Sequence, residues 1–145
     1  MSPSVRPFLM FEGKAEAAMQ LYVSLVPGSE ILEITRYGAT GPGPEGSIMR
    51  ALFSVGGQVV QCTDSWVRHA FTFTPSFSFF VECESRERFD ALWSALSEGG
   101  GAMMPPDNYG FSQHFGWLSD RFGVSWQLNV AGAQGKTAIA SISTL

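Results

Sequence analysis

Histidine and cysteine, the side chains that most often ligate metals or act as nucleophiles, are scarce: two of each in 145 residues. Cys62 and Cys83 are too few for a disulfide framework and show no CxxC spacing. Both lie in apolar β-like runs, so they read as buried free thiols in a reducing cytoplasm. Charge is thin as well. Charged residues make up 15% of the chain, against about 25% in an average soluble domain. So sparse a surface points to an apolar pocket, a subunit interface, or both. Nine Lys+Arg against thirteen Asp+Glu give a net charge of −4 with no basic cluster, which disfavours nucleic acid as a partner. Long apolar runs are missing too. Phe8 to Phe11 is too short for a secretory h-region, and nothing approaches the ~18 apolar residues of a membrane span. The expectation is a soluble, cytoplasmic protein with no membrane partner.

A chain of this length fits one ordinary domain, and 45% hydrophobic residues supply its core without a disulfide or metal staple. Its elements repeat. After the apolar run from Arg6 to Phe11, Ala15, Ala18, Met19, Tyr22, Leu25 and Val26 recur at helical spacing until Pro27-Gly28. A strand from Glu30 to Tyr37, a loop from Gly38 to Gly46, and two alternating runs, 48–55 and 58–63, follow. Gly56-Gly57 between those runs signals a hairpin. The same order returns in the second half. Phe77 to Cys83 reads as a strand, Ser85 as a helix N-cap, and Phe89, Leu92, Trp93 and Leu96 as an apolar helical face ended by Gly99-Gly100-Gly101. A short segment at 102–104, a loop from Pro105, a strand at 115–118, the turn Asp120-Arg121-Phe122-Gly123 and a strand from Val124 to Val130 complete it. The Gly, Ala, Ser and Thr-rich tail, 131–145, reads as lightly packed.

Each half thus reads βαβββ, with module one at 6–63, a linker at 64–75 and module two at 76–130. Neither half buries its own sheet face, so the expected fold is α+β: two such modules forming a curved, mostly antiparallel eight-stranded sheet around a cleft, helices outside.

The residues Pro7-Phe-Leu-Met-Phe-Glu-Gly-Lys-Ala-Glu-Ala-Ala, Tyr22 before Pro27-Gly28, Phe79-Phe-Val-Glu, and above all Gly116-Trp-Leu-Ser-Asp-Arg-Phe-Gly-Val-Ser-Trp-Gln127 resemble the vicinal oxygen chelate superfamily. That superfamily includes glyoxalase I, bleomycin-resistance proteins and extradiol dioxygenases. The resemblance is to its PhnB-like branch, some members of which carry the label 3-demethylubiquinone-9 3-methyltransferase. It implies a homodimer, and in metal-using members four strand positions supply His and Glu ligands. Carried over by motif, those positions fall on Pro7, Gln61, Ser76 and Gln127, with no His or Cys within two residues of Pro7 or Ser76. Four such side chains make a poor site for a divalent metal, which needs about three strong protein ligands. The expectation is a protein that uses neither the superfamily's metal nor another cofactor. Glutamine keeps the hydrogen bonding of glutamate and drops its charge, which suits a neutral or anionic organic ligand. The bland alternative is that Gln61 and Gln127 satisfy each other or the backbone.

Strand alternation extends the candidate site. Ser76, Ser78, Phe80 and Glu82 share one face, opposite Phe77, Phe79 and Val81, while Ser125, Gln127 and Asn129 lie opposite Trp126, Leu128 and Val130. Gln61, Ser76, Ser78, Phe80, Gln127 and Trp117 are the ligand-binding candidates. Trp117 belongs to an aromatic set, with Trp66, Phe71, Phe73, Tyr109, Phe111 and Phe115, that reads as a lid or a dimer seam. A metal-dependent lyase, isomerase or dioxygenase would need replacement ligands such as His69, His114, Asp64 or Glu82. The loop Gly41-Pro-Gly-Pro-Glu-Gly46 lacks the amide donors of a phosphate cradle and reads as a mobile linker. No turn has the Gly-rich form of an ordinary S-adenosylmethionine fold, so methyl transfer is not expected.

Overall fold

Ten elements follow from the patterns above in the computed structural model, which describes residues 3–130; the tail reading, 131–145, lies outside the described residues. The order is β1 (Phe8–Phe11), α1 (Ala15–Leu25), β2 (Glu30–Arg36), β3 (Ile48–Val55), β4 (Gln58–Asp64), β5 (Ser78–Cys83), α2 (Arg86–Ser97), β6 (Gly101–Asp107), β7 (Phe115–Ser119) and β8 (Ser125–Val130). The chain divides into two compact units after Ala70.

The eight expected strands hydrogen-bond as two four-stranded sheets, β1-β4-β3-β2 and β5-β8-β7-β6, so the expected eight-stranded ladder is resolved as one open sheet in each unit. Each sheet has one parallel pair, β1 with β4 or β5 with β8, and two antiparallel pairs. The helix between the first two strands of each unit supplies the crossover that places the first strand parallel to the fourth.

In the first unit, α1 buries Ala15, Ala18, Met19 and Tyr22 against a sheet face carrying Leu9, Phe11, Ala51, Phe53, Val60 and Cys62. Lys14 makes no side-chain cap at the start of α1. The amides of Gly13 and Ala15 instead donate to Asp64 Oδ1, both at 2.9 Å, and Ile48 N donates to Asp64 Oδ2 at 3.0 Å. Asp64 was a linker residue in the sequence reading; it is the buried end of β4 and ties β4, α1 and β3 together.

In the second unit, α2 opens on Ser85, whose hydroxyl accepts from Arg88 N at 3.1 Å, as the N-cap reading required. Its buried residues are Phe89, Leu92 and Leu96. They cover Leu118, Trp126 and Leu128, all fully buried. Gly116 is needed for this approach: a Cβ there would stand 2.5 Å from the Trp93 ring.

Two local readings change. Phe77 precedes β5 and is 56% exposed instead of joining the core, because the strand begins at Ser78. Proline does not stop β6, which runs on to Asp107; β6 is an edge strand and needs donors on one side only. The loop that holds Gly41 to Gly46 is tied at its base to Tyr37. Tyr37 N donates to Ser47 O and Gly46 N to Tyr37 O, both at 2.9 Å, and Gly43 lies so close to the Tyr37 ring that a Cβ would meet it at 2.7 Å.

Candidate functional site

The second sheet has one face under α2 and one open face. On the open face the register aligns three rows across the strands: Ser78, Ser125 and Ser119; Phe80, Gln127, Trp117 and Met104; Glu82, Asn129, Phe115 and Asp107. Strand alternation put Ser78, Phe80 and Gln127 on this face, and the structure joins them to Trp117 through Ser125. Trp117 Nε1 donates to Ser125 Oγ at 2.8 Å, the Ser125 and Ser78 hydroxyls lie 2.6 Å apart, and Gln127 Nε2 donates to Ser78 Oγ at 3.2 Å. Ser125 is buried, so its hydroxyl must be paired, and both neighbours pair it.

The third row carries a second set of hydrogen bonds. Asn129 Nδ2 donates to Glu82 Oε2 at 3.0 Å, and the Ser112 hydroxyl donates to Asn129 Oδ1. Above these polar groups stands an aromatic cluster. Phe115 meets Phe111 at 5.0 Å, Tyr109 at 6.1 Å and Phe80 at 6.3 Å between ring centroids. Phe115 is buried by this company while Phe80 remains 55% exposed, giving an apolar surface beside the Gln127 amide.

The other sequence candidates lie elsewhere. Ser76 precedes β5, is exposed, and pairs with the Thr74 hydroxyl at 2.6 Å. Gln61 belongs to the first unit, where Arg6 Nε donates to its Oε1 at 3.2 Å. Each glutamine therefore takes a side-chain partner inside its own unit. Ser125, Asn129, Phe115 and Tyr109 were not among the ligand-binding candidates. Alternation in β8 and the aromatic loop carried their signal, but the register that joins them becomes visible only in the fold.

The positions at which the superfamily's metal-using members carry ligands do not fit a divalent metal here. Two carry amides, one a hydroxyl and one proline, and a structure of this donor chemistry supplies no carboxylate, imidazole or thiolate. Within each unit the replacement ligands do not converge either. Asp64 is committed to three backbone amides, and His69 Nε2 lies 2.8 Å from Ser65 Oγ in the same unit. In the second unit Glu82 is on the open face, whereas His114 is under the sheet with its ring edge on Phe89 at 4.3 Å. Among the described residues no group of three or more His, Cys, Asp or Glu side chains could hold a metal ion.

His114 is nearly buried, and its Nε2 lies 3.9 Å from Asp90 Oδ1. Burial, and secondarily the charge of Arg86, lower its pKa from the ordinary 6.5, with Asp90 and Asp107 opposing. The thiols are inert for the same reason. Burial, aided by Asp64, pushes Cys62 up to about 12, and burial, aided by Glu82, pushes Cys83 up to about 11. Both are free and buried, as their setting in the sequence implied.

A family model described as 3-demethylubiquinone-9 3-methyltransferase matches residues 3–129. A solved structure described as a putative 3-demethylubiquinone-9 3-methyltransferase, PhnB protein, from Bacillus cereus is 50% identical, covers 89% of this chain and 100% of its own, and superposes with a TM-score of 0.86. A protein from Pseudomonas aeruginosa is 27% identical over 89% of this chain and 98% of its own, with a TM-score of 0.75. The fosfomycin resistance protein FosX from Listeria monocytogenes, solved with Mn(II) and 1S,2S-dihydroxypropylphosphonic acid, is 12% identical over 94% of this chain and 98% of its own, at a TM-score of 0.58. That last likeness is one of fold alone. No curated protein matches the chain.

Proposed function

The chain belongs to the 3-demethylubiquinone-9 3-methyltransferase family, the PhnB-like branch of the vicinal oxygen chelate superfamily, and on that premise we propose that it binds a small organic molecule on the open face of β5-β8-β7-β6 without a chelated metal. The carrying observation is Gln127. It falls where the resemblance puts a glutamate of the metal-using members, yet it is held by Ser78 beside the exposed ring of Phe80. A few oriented polar groups against an aromatic surface are the composition of a ligand site.

Methyl transfer is not part of this reading, whatever the family's description. The S-adenosylmethionine sites of ordinary methyltransferases use a strand-to-helix turn with open amides. Here the first such turn gives its amides to Asp64, and the second is capped by Ser85. The working protein in this reading is a cytoplasmic homodimer.

Replacing Gln127 with Leu tests the site. It should abolish binding of any small molecule that perturbs the Trp117 indole in the wild type, while stability stays within about 1 kcal/mol, as for a site rather than a core position. Unchanged affinity would remove Gln127 from the site.

A further inference from the structure

The turn that follows β4 belongs to the first unit and has no part in the open face of the second. It begins at Ser65, whose backbone N donates to Phe11 O at 2.7 Å. It ends at His69, whose backbone N donates to Glu12 Oε2 at 3.3 Å. Both ends are thus fastened to the end of β1 and the residue after it. Within the turn the Ser65 hydroxyl lies 2.8 Å from His69 Nε2. Val67 N donates to the same Oγ at 3.2 Å, and Val67 O lies 3.1 Å from it. Ser65 and His69 are both half-buried.

A hydroxyl within hydrogen-bond reach of an imidazole is a nucleophile beside its base. With the ring proton on Nδ1, Nε2 accepts the Ser65 hydroxyl hydrogen. That contact is shorter than the competing one to Val67 O, 2.8 Å against 3.1 Å. The Val67 amide keeps its bond to Oγ as the proton leaves, and a hydrogen bond to a charged oxygen is stronger than one to a neutral hydroxyl.

Ser65 also lines a cavity of about 240 Å³, together with Glu12, Pro44, Trp66, Val67 and Arg68. Sites for drug-sized molecules run to roughly 300–1,000 Å³, so the guest here is smaller. Trp66 is 58% exposed and gives the cavity a flat apolar wall. The acids of the wall are engaged, Asp64 by three backbone amides and Glu12 by His69 N. Arg68 is the cation among the described lining residues and the group suited to a developing oxyanion.

We propose that this turn is a second site, at which Ser65 and His69 hydrolyse aryl esters of small carboxylic acids. Ser65 Oγ forms a bond to the acyl carbon while its hydrogen passes to His69 Nε2. The carbonyl oxygen takes up the negative charge beside Arg68. As the carbonyl re-forms, the bond to the aryl oxygen breaks, and Nε2 gives its proton to that departing oxygen. Water then attacks the acyl carbon and gives a proton to Nε2. The acid leaves as Ser65 Oγ recovers that proton.

The probe is para-nitrophenyl acetate, mixed with the full chain. The wild type should release a burst of nitrophenolate stoichiometric with protein, and peptide mass spectrometry should find the acetyl group on Ser65. Ser65→Ala should abolish both. His69→Gln keeps a hydrogen-bonding group beside Ser65 and should slow the acetylation at least about a hundredfold. Arg68→Gln should slow it about as much. An unchanged melting temperature shows each variant to be folded. Ser65 left unmodified in the wild type, with acetyl groups on lysine alone, would overturn the proposal, and so would an equal rate in His69→Gln. An equal rate in Arg68→Gln would overturn the oxyanion assignment.

Discussion

The amide of Gln127 keeps the outline of a glutamate while offering a hydrogen in place of a charge, and the residues around it are arranged for that hydrogen. Ser78 accepts it, and Ser78 in turn meets the Ser125 hydroxyl that Trp117 supports. Single-residue reasoning placed Ser78, Phe80 and Gln127 on one face because side chains alternate along a strand. It placed Ser76 with them by the same rule, and failed there because β5 begins two residues later. His114 shows the other limit. In the sequence it was one of the replacement metal ligands, and nothing local reveals that Phe89 and the sheet bury it. With its folded pKa below 6.5 and the unfolded value near it, the unfolded chain takes up the proton first. The neutral ring's contribution to stability is therefore complete above about pH 6.5 and is lost as pH falls toward the folded pKa. An NMR titration of the His114 ring should give a midpoint below 6.5; one at or above that value would contradict the burial argument.

Elements are legible where their determinants are local. Ser85 caps α2 through an amide three residues away, a spacing any sequence displays. The start of α1 is satisfied by Asp64, 49 residues from Ala15, which no pattern in the sequence displays. That is why Asp64 read as a linker residue and a spare metal ligand. Truncating it leaves three backbone donors of α1 and β3 without their charged acceptor. Asp64→Ala should cost roughly 3 kcal/mol in a denaturant titration, of the order expected for removing a charged acceptor from buried donors. A cost below about 1 kcal/mol would mean that water replaces the carboxylate. The edge position of β6 was hidden for a related reason: Pro105 and Pro106 end a strand only when both sides must pair, and strand order is not written locally.

Across the whole molecule, the repeat recognised in the sequence is repeated in register. Phe8, Gln61 and Leu52 align across the first sheet as Phe80, Gln127 and Trp117 align across the second, and Phe8 and Phe80 are both more than half exposed. Two units thus preserve the same arrangement, an exposed phenylalanine beside a central-strand glutamine, while their surroundings diverge. Arg6 holds Gln61, and Ser78 holds Gln127. The division of β-pairing into two sheets was not legible, since hydropathy specifies which strands form but not where one ladder ends. The fold recruited by a chelating superfamily is therefore retained with a different donor set, and the claim at the centre of this account is that the set works without a chelated metal. Metal content of the purified, tag-free protein, read with its melting temperature in Mn, Fe, Ni and Zn salts, tests that claim most directly. A native-state metal at a hundredfold excess over Kd adds about 2.7 kcal/mol, a readily visible shift. The account predicts no stoichiometric metal and no such shift, whereas a stoichiometric ion whose removal lowers the melting temperature would contradict it.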